Sequence, residues 1–168
     1  MPNHVQTLVN LQGETKELIK LNKYVSNPAH EDINQRPFDF EKIIPMPAHI
    51  YRGNIGPKEE EKYGAENCWY KWSIKNWGTK WNCYEVNVDV GYFSFWTAWS
   101  FPEPILRKLS KKFPKIKFFI QYADEDLGSN VGDIIMQNGK VIEDLSPEEG
   151  TDEAVAFAKN IWNWEEAD

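Results

Sequence analysis

Thiols are scarce in this chain: Cys68 and Cys83 are the only cysteines among 168 residues. Their separation fits no zinc or redox spacing, and two thiols alone cannot complete a four-ligand site. The sequence leaves a disulfide between them open. Long apolar runs are missing as well. No segment approaches the ~20 residues needed to span a bilayer, so no membrane association is expected. Met1-Pro2-Asn3-His4 leads straight into strand-like residues, without the charged and apolar regions of a signal peptide, and a cytoplasmic location is the expectation. Positive charge is in deficit: 19 Lys and Arg stand against 26 Asp and Glu, a formal net charge of −7. That argues against phosphate-dominated nucleic-acid binding. The one basic cluster, Arg107-Lys108, Lys111-Lys112, Lys115 and Lys117, reads as the solvated side of a helix and a strand. Catalytic signatures are absent too. There is no P-loop, G-x-G-x-x-G, H-E-x-x-H or G-x-S-x-G, and His4, His30 and His49 are scattered. No residue is therefore assigned a catalytic or metal-ligating role, no cofactor is implied, and the chain reads as non-enzymatic.

Aromatic bulk is what the chain has in plenty. Four of its eight tryptophans fall between Asn76 and Trp99, the stretch with the clearest strand signal. Tyr84, Val86, Val88 and Val90 alternate with Glu85, Asn87 and Asp89, which predicts a strand with one apolar face. After Gly91, Phe93–Trp99 carries bulk on both faces, as a central strand does. Upstream, His4–Leu11 predicts a strand of imperfect alternation. From Glu14 to about Val25 the period turns helical, with Leu18, Leu21 and Val25 on one side. Prolines at 28, 37, 45, 47 and 57 then mark a loop-rich excursion. Within it, Phe38–Pro47 is apolar enough to cross the core as a short strand or extended cover. Pro57 opens a helix, and a second helical run from about Ala65 to Asn76 meets Gly78 at its C-terminal cap. Downstream, Ser100 and Glu103 have the spacing of a capping box, and Ile105, Leu106, Leu109 and Phe113 give the next helix its buried stripe. Ile116, Phe118, Ile120 and Tyr122 alternate as a strand. Asn138-Gly139 is a two-residue hairpin turn, and a last helix starts near Thr151.

With the excursion at about 28–80 set aside as an insertion, the first six elements read βαββαβ. The expectation is one α+β domain over residues 1–168: a ferredoxin-like, mainly antiparallel sheet with helices on one face, extended or capped by a C-terminal hairpin and helix.

Several motifs carry a resemblance. Met1-Pro2-Asn3-His4, Asp39-Phe40-Glu41-Lys42-Ile43-Ile44-Pro45-Met46-Pro47, Asn76-Trp77-Gly78-Thr79-Lys80-Trp81-Asn82, and Thr97-Ala98-Trp99-Ser100 followed by Pro102 and Pro104 resemble the YubB family, also called Api-like, in order along the chain. The resemblance implies a ferredoxin-like domain and an accessory protein of phages, plasmids or other mobile elements. It brings no established activity, cofactor or catalytic residue.

For a site, the sequence offers Asn76, Trp77, Thr79, Lys80, Trp81 and Asn82, together with Trp99, as ligand- or partner-binding candidates. An amide, a hydroxyl, an ammonium and two indoles fall here in one helix-to-strand connection, the kind of segment that carries binding residues. The structural reading of the same residues is that Gly78 ends the helix while Trp77 and Trp81 seal the core. Lys80 is the residue that reading explains least, and as an anchor its ammonium should meet a carboxylate or helix-terminal carbonyls. Asp124-Glu125-Asp126, with Asp133, reads as an exposed acidic loop rather than a cation site. Gly91-Tyr92-Phe93-Ser94-Phe95 fails the RNA-recognition signature, because Ser94 and Val90 stand where an aromatic and a basic residue belong. Two functions follow. The first is a protein-binding or regulatory module using exposed aromatics and the insertion. The alternative is an enzyme or small-ligand binder with a site between Trp77–Asn82 and Asp124–Asp126. Single-stranded nucleic acid ranks behind both on charge.

Overall fold

Alternation along the first strand is cleaner than the sequence suggests, because Leu8 belongs to a second apolar surface. The structure, a computed structural model, describes residues 1–28 and 36–164; His30 lies outside them. In β1 (His4–Gln12), Val5, Thr7, Val9 and Leu11 are buried on one face. Leu8 points to the other face, where Ala123, Val131, Ala154, Ala158 and Ile161 form a satellite cluster. The elements follow as α1 (Thr15–Val25), α2 (Phe40–Ile43), α3 (Pro57–Tyr63), α4 (Trp69–Trp77), β2 (Tyr84–Asp89), β3 (Tyr92–Ala98), α5 (Glu103–Lys112), β4 (Lys117–Asp124), β5 (Gly132–Gln137), β6 (Lys140–Asp144) and α6 (Asp152–Ile161).

The six strands form one sheet in the order β2-β3-β1-β4-β5-β6, every pairing antiparallel. β1 lies between β3 and β4 although α1 and the insertion separate it from β2, which is the ferredoxin-like βαββαβ arrangement. Leu18, Leu21 and Val25 of α1 and Ile105, Leu106 and Leu109 of α5 join Val9, Phe93, Phe95, Phe118 and Ile120 in the main core. The β5–β6 hairpin widens the sheet through Asn138 and Gly139, at φ 49° and 73°. Helix α6, capped by the Thr151 hydroxyl accepting from the Ala154 amide, packs on the opposite face. There the indole of Trp162 meets Trp96 edge-on, and Trp96 in turn meets His4 and Tyr84.

Four local expectations need correction. Tyr84 does not share a face with Val86 and Val88. Tyr84 pairs with Trp96 and Asn87 with Ser94, so β2 carries one extra residue, a bulge with Glu85 at φ 49°. Phe38, Phe40, Ile43 and Met46 of the Phe38–Pro47 stretch are buried as expected, but Phe40–Ile43 is a single helical turn, N-capped by Asp39 accepting from the Glu41 amide. The capping box fails: α5 begins after Pro102 with no side-chain cap, and the Ser100 hydroxyl donates to the Gly78 carbonyl at 2.5 Å. Trp99 is not part of β3, which ends at Ala98. The other edge strand, β6, is bulged as well: Ile135 pairs with Glu143 and Met136 with Val141, leaving Ile142 unmatched.

Candidate functional site

Helix α4 stops where the sequence places a residue without a side chain. Gly78 takes φ 76° and ψ 10°, the left-handed conformation that glycine adopts without strain. Its carbonyl is held by Ser100, and the next residue, Thr79, is buried and donates its hydroxyl to the Ala98 carbonyl at 2.7 Å. The connection is thereby fastened to the end of β3. The indole of Trp77 is buried and donates to the Ile44 carbonyl at 2.8 Å. The Asn82 side chain accepts from the Phe40 amide and donates to buried Asp39 at 2.7 Å. Asp39 also accepts from Asn27 at 2.8 Å, so one carboxylate joins α1, α2 and the approach to β2. Asn76 donates back to the Trp72 carbonyl within α4. Four of the seven candidates thus bond to the protein's own polar groups.

Lys80, Trp81 and Trp99 behave differently. The Lys80 ammonium sits 4.4 Å from the Trp81 ring centroid and 4.7 Å from that of Trp99, a cation with an indole on each of two sides. Among the described residues it has no hydrogen bond and no ion pair, so the expected anchor on a carboxylate or on helix-terminal carbonyls is wrong. The flanking indoles remain 38% and 42% exposed. Trp99 adopts φ 71°, an outlier for so bulky a residue, with a cost on the order of 1–3 kcal/mol. Its amide donates to the Asn3 carbonyl and its carbonyl accepts from the Asn130 side chain, which over-determine that conformation.

Lys80 and Trp81 border an open cleft of about 770 Å³, lined also by Arg52, Gly53, Asn54, Ile55, Trp69 and Tyr70. Tyr70 stands edge-on to Trp99, with centroids 6.2 Å apart. Arg52 is committed to its own segment, donating to the Met46 carbonyl at 2.8 Å and lying 3.6 Å from Glu41. Sequence reasoning missed residues 52–55, which have neither periodicity nor motif. They reach the cleft through a parallel bridge between Tyr51 and Cys68 and through the Trp69 indole donating to the Gly53 carbonyl at 3.0 Å. A Gly-Asn pair just past a proline-rich stretch was the available signal.

The acidic residues lie elsewhere. Asp124 is buried rather than loop-exposed, accepting from Asn3 and from the Asp126 amide, while Glu125 accepts from the His4 amide at 2.8 Å. None of Asp124, Glu125 or Asp126 lines the cleft. Among the described residues no three His, Cys, Asp or Glu side chains are grouped to hold a metal. Cys68 and Cys83 are both free and buried, and burial, with Asp39 nearby, pushes the Cys83 thiol far above its usual range. No described helix is long and apolar enough to cross a membrane.

Residues 76–165 match the family model described as the ferredoxin-like domain in Api92-like protein. Among solved structures, the crystal structure of a protein api92 from Yersinia pseudotuberculosis is similar at 13% identity, with a TM-score of 0.47 over 67% of this chain. The chain covers 40% of that protein's length. No curated protein matches.

Proposed function

This chain belongs to the family of the ferredoxin-like domain in Api92-like proteins, and from that premise we propose that it is a non-enzymatic, protein-binding accessory module whose contact surface is the aromatic cleft around Lys80. The observation that carries the reading is the pair Trp81 and Trp99, left 38% and 42% exposed beside a cation. Tryptophan, tyrosine and arginine dominate binding hot spots because they present large, stiff, partly polar surfaces. Trp69, Tyr70 and Arg52 complete that composition here. The resemblance to the YubB group supports a role in a phage or another mobile element, exercised in the cytoplasm by one domain over residues 1–168.

Affinity capture from lysate of the source cells tests it, with wild-type protein and a Trp81→Ala/Trp99→Ala variant of matched melting temperature. A protein retained by wild type and lost from the variant supports the reading. Equal retention by both, or turnover of a small substrate by the purified protein, overturns it. The second reading, a small-ligand site, draws on the cleft volume, which lies within the usual range of roughly 300–1,000 Å³. The openness of the cleft weighs against it, because small-ligand sites enclose most of their occupant.

A further inference from the structure

Taking the cleft as a partner-binding surface, we infer that its occupant is an acidic peptide segment, with one Asp or Glu carboxylate on the Lys80 ammonium and apolar neighbours laid on Trp81 and Trp99. Ring faces attract a cation but offer no lone pairs, so the Lys80 N–H groups have no acceptor among the described residues. A half-buried lysine whose ammonium is flanked by indoles and lacks an acceptor among the described residues is a site prepared for an anion.

Charge points the same way. The chain carries a net −7, yet the cleft is lined by Arg52 and Lys80 and by no carboxylate. Arg52 is taken by Met46 and Glu41, which leaves Lys80 as the uncommitted cation. One cation suits one carboxylate. A phosphate dianion or a nucleic-acid backbone recruits several Lys and Arg, whereas this cleft offers one uncommitted cation. An extended peptide satisfies an open cleft, whereas a small carboxylic acid would stay largely in water. Fixing Trp99 at φ 71° holds the second ring beside the Lys80 ammonium in position before the partner arrives.

The test pans a random peptide library on the wild-type protein and on Trp99→Ala, with Trp99→Phe as a ring-retaining second variant. Enriched peptides are then measured in their acid and amide forms (Glu to Gln, Asp to Asn) on wild type, Lys80→Gln and Lys80→Arg. The expected result is acidic–aromatic or acidic–aliphatic peptides that lose about tenfold or more on conversion to the amide. That loss should vanish in Lys80→Gln and return in Lys80→Arg, which a purely structural lysine would not produce. Neutral or basic peptides that still need Trp99 overturn the acidic assignment and leave the protein-binding reading intact. The same holds if no peptide is enriched but a folded protein is captured from lysate. Tighter binding of a single-stranded oligonucleotide than of any peptide overturns both.

Discussion

Replacing Gly78 with alanine separates two costs that usually arrive together. At φ 76° an L-residue is disfavoured by about 1–2 kcal/mol, partly offset by the ~0.4–1 kcal/mol that alanine removes from the unfolded chain's freedom. The new Cβ would also lie 2.8 Å from Cδ of Pro104, a rigid ring in the first turn of α5, adding overpacking on the order of 1–3 kcal/mol. Gly150 supplies the control. Its φ is 77°, and a Cβ there meets nothing within 4 Å. Gly150→Ala should therefore cost about 0–1.6 kcal/mol, and Gly78→Ala about 1–3 kcal/mol more. For a chain of this size the extra cost is a further fall in Tm of roughly 2–12 °C, read by calorimetry. Equal falls would refute the clash with Pro104. No fall in either would refute the left-handed assignment itself.

Three further outcomes follow from the same packing. Leu109→Ala, at the fully buried centre of the α5 stripe, should cost about 2–5 kcal/mol in urea unfolding, and a cost under 1 kcal/mol would remove that helix from the core. Asp39→Ala removes the carboxylate to which Asn27, Asn82 and the Glu41 amide donate and should cost about 2–4 kcal/mol by the same assay, whereas a neutral result would mean the carboxylate joins nothing. Burial, with Asp144 nearby, raises the phenol of Tyr122 in the folded state. Its contribution is thus complete below the unfolded pKa of about 10 and is lost as pH climbs through the folded value. Stability should hold from neutral pH to about 9 and then decline, less steeply in Tyr122→Phe; a decline of unchanged slope in that variant would clear Tyr122.

Much of the fold was legible because its signals are local. The left-handed Gly78, the Asn138-Gly139 turn and the α5 stripe each depend on a few adjacent residues, and the strand order follows once the insertion is set aside. What escaped depends on partners. A period-two reading of Tyr84–Val90 counts residues along one strand, so it could not register the extra residue that β3 leaves unmatched at Glu85. Phe40–Ile43 is too short for any period to declare itself. The Ser100 hydroxyl could serve either the start of α5 or the end of α4, and only their proximity decides for Gly78. The site divides in the same way. Lys80, Trp81 and Trp99 stand out as unusual residues in an unusual connection, but Arg52, Asn54 and Tyr70 come to the cleft by folding alone. Lys80 itself was misread, since no sequence rule says that its neighbours would be ring faces rather than oxygens.

Both outer strands of the sheet are kinked by one surplus residue, at Glu85–Val86 on one margin and at Ile142 on the other. All five residues of β6 face water, Val141 and Ile142 among them, and a straight ribbon of that composition would template the addition of further chains. An irregular margin offers a newcomer no continuous ladder of donors and acceptors. Crowding this protein, on a resin or in a cell, is therefore expected to leave the six-stranded sheet without added strands.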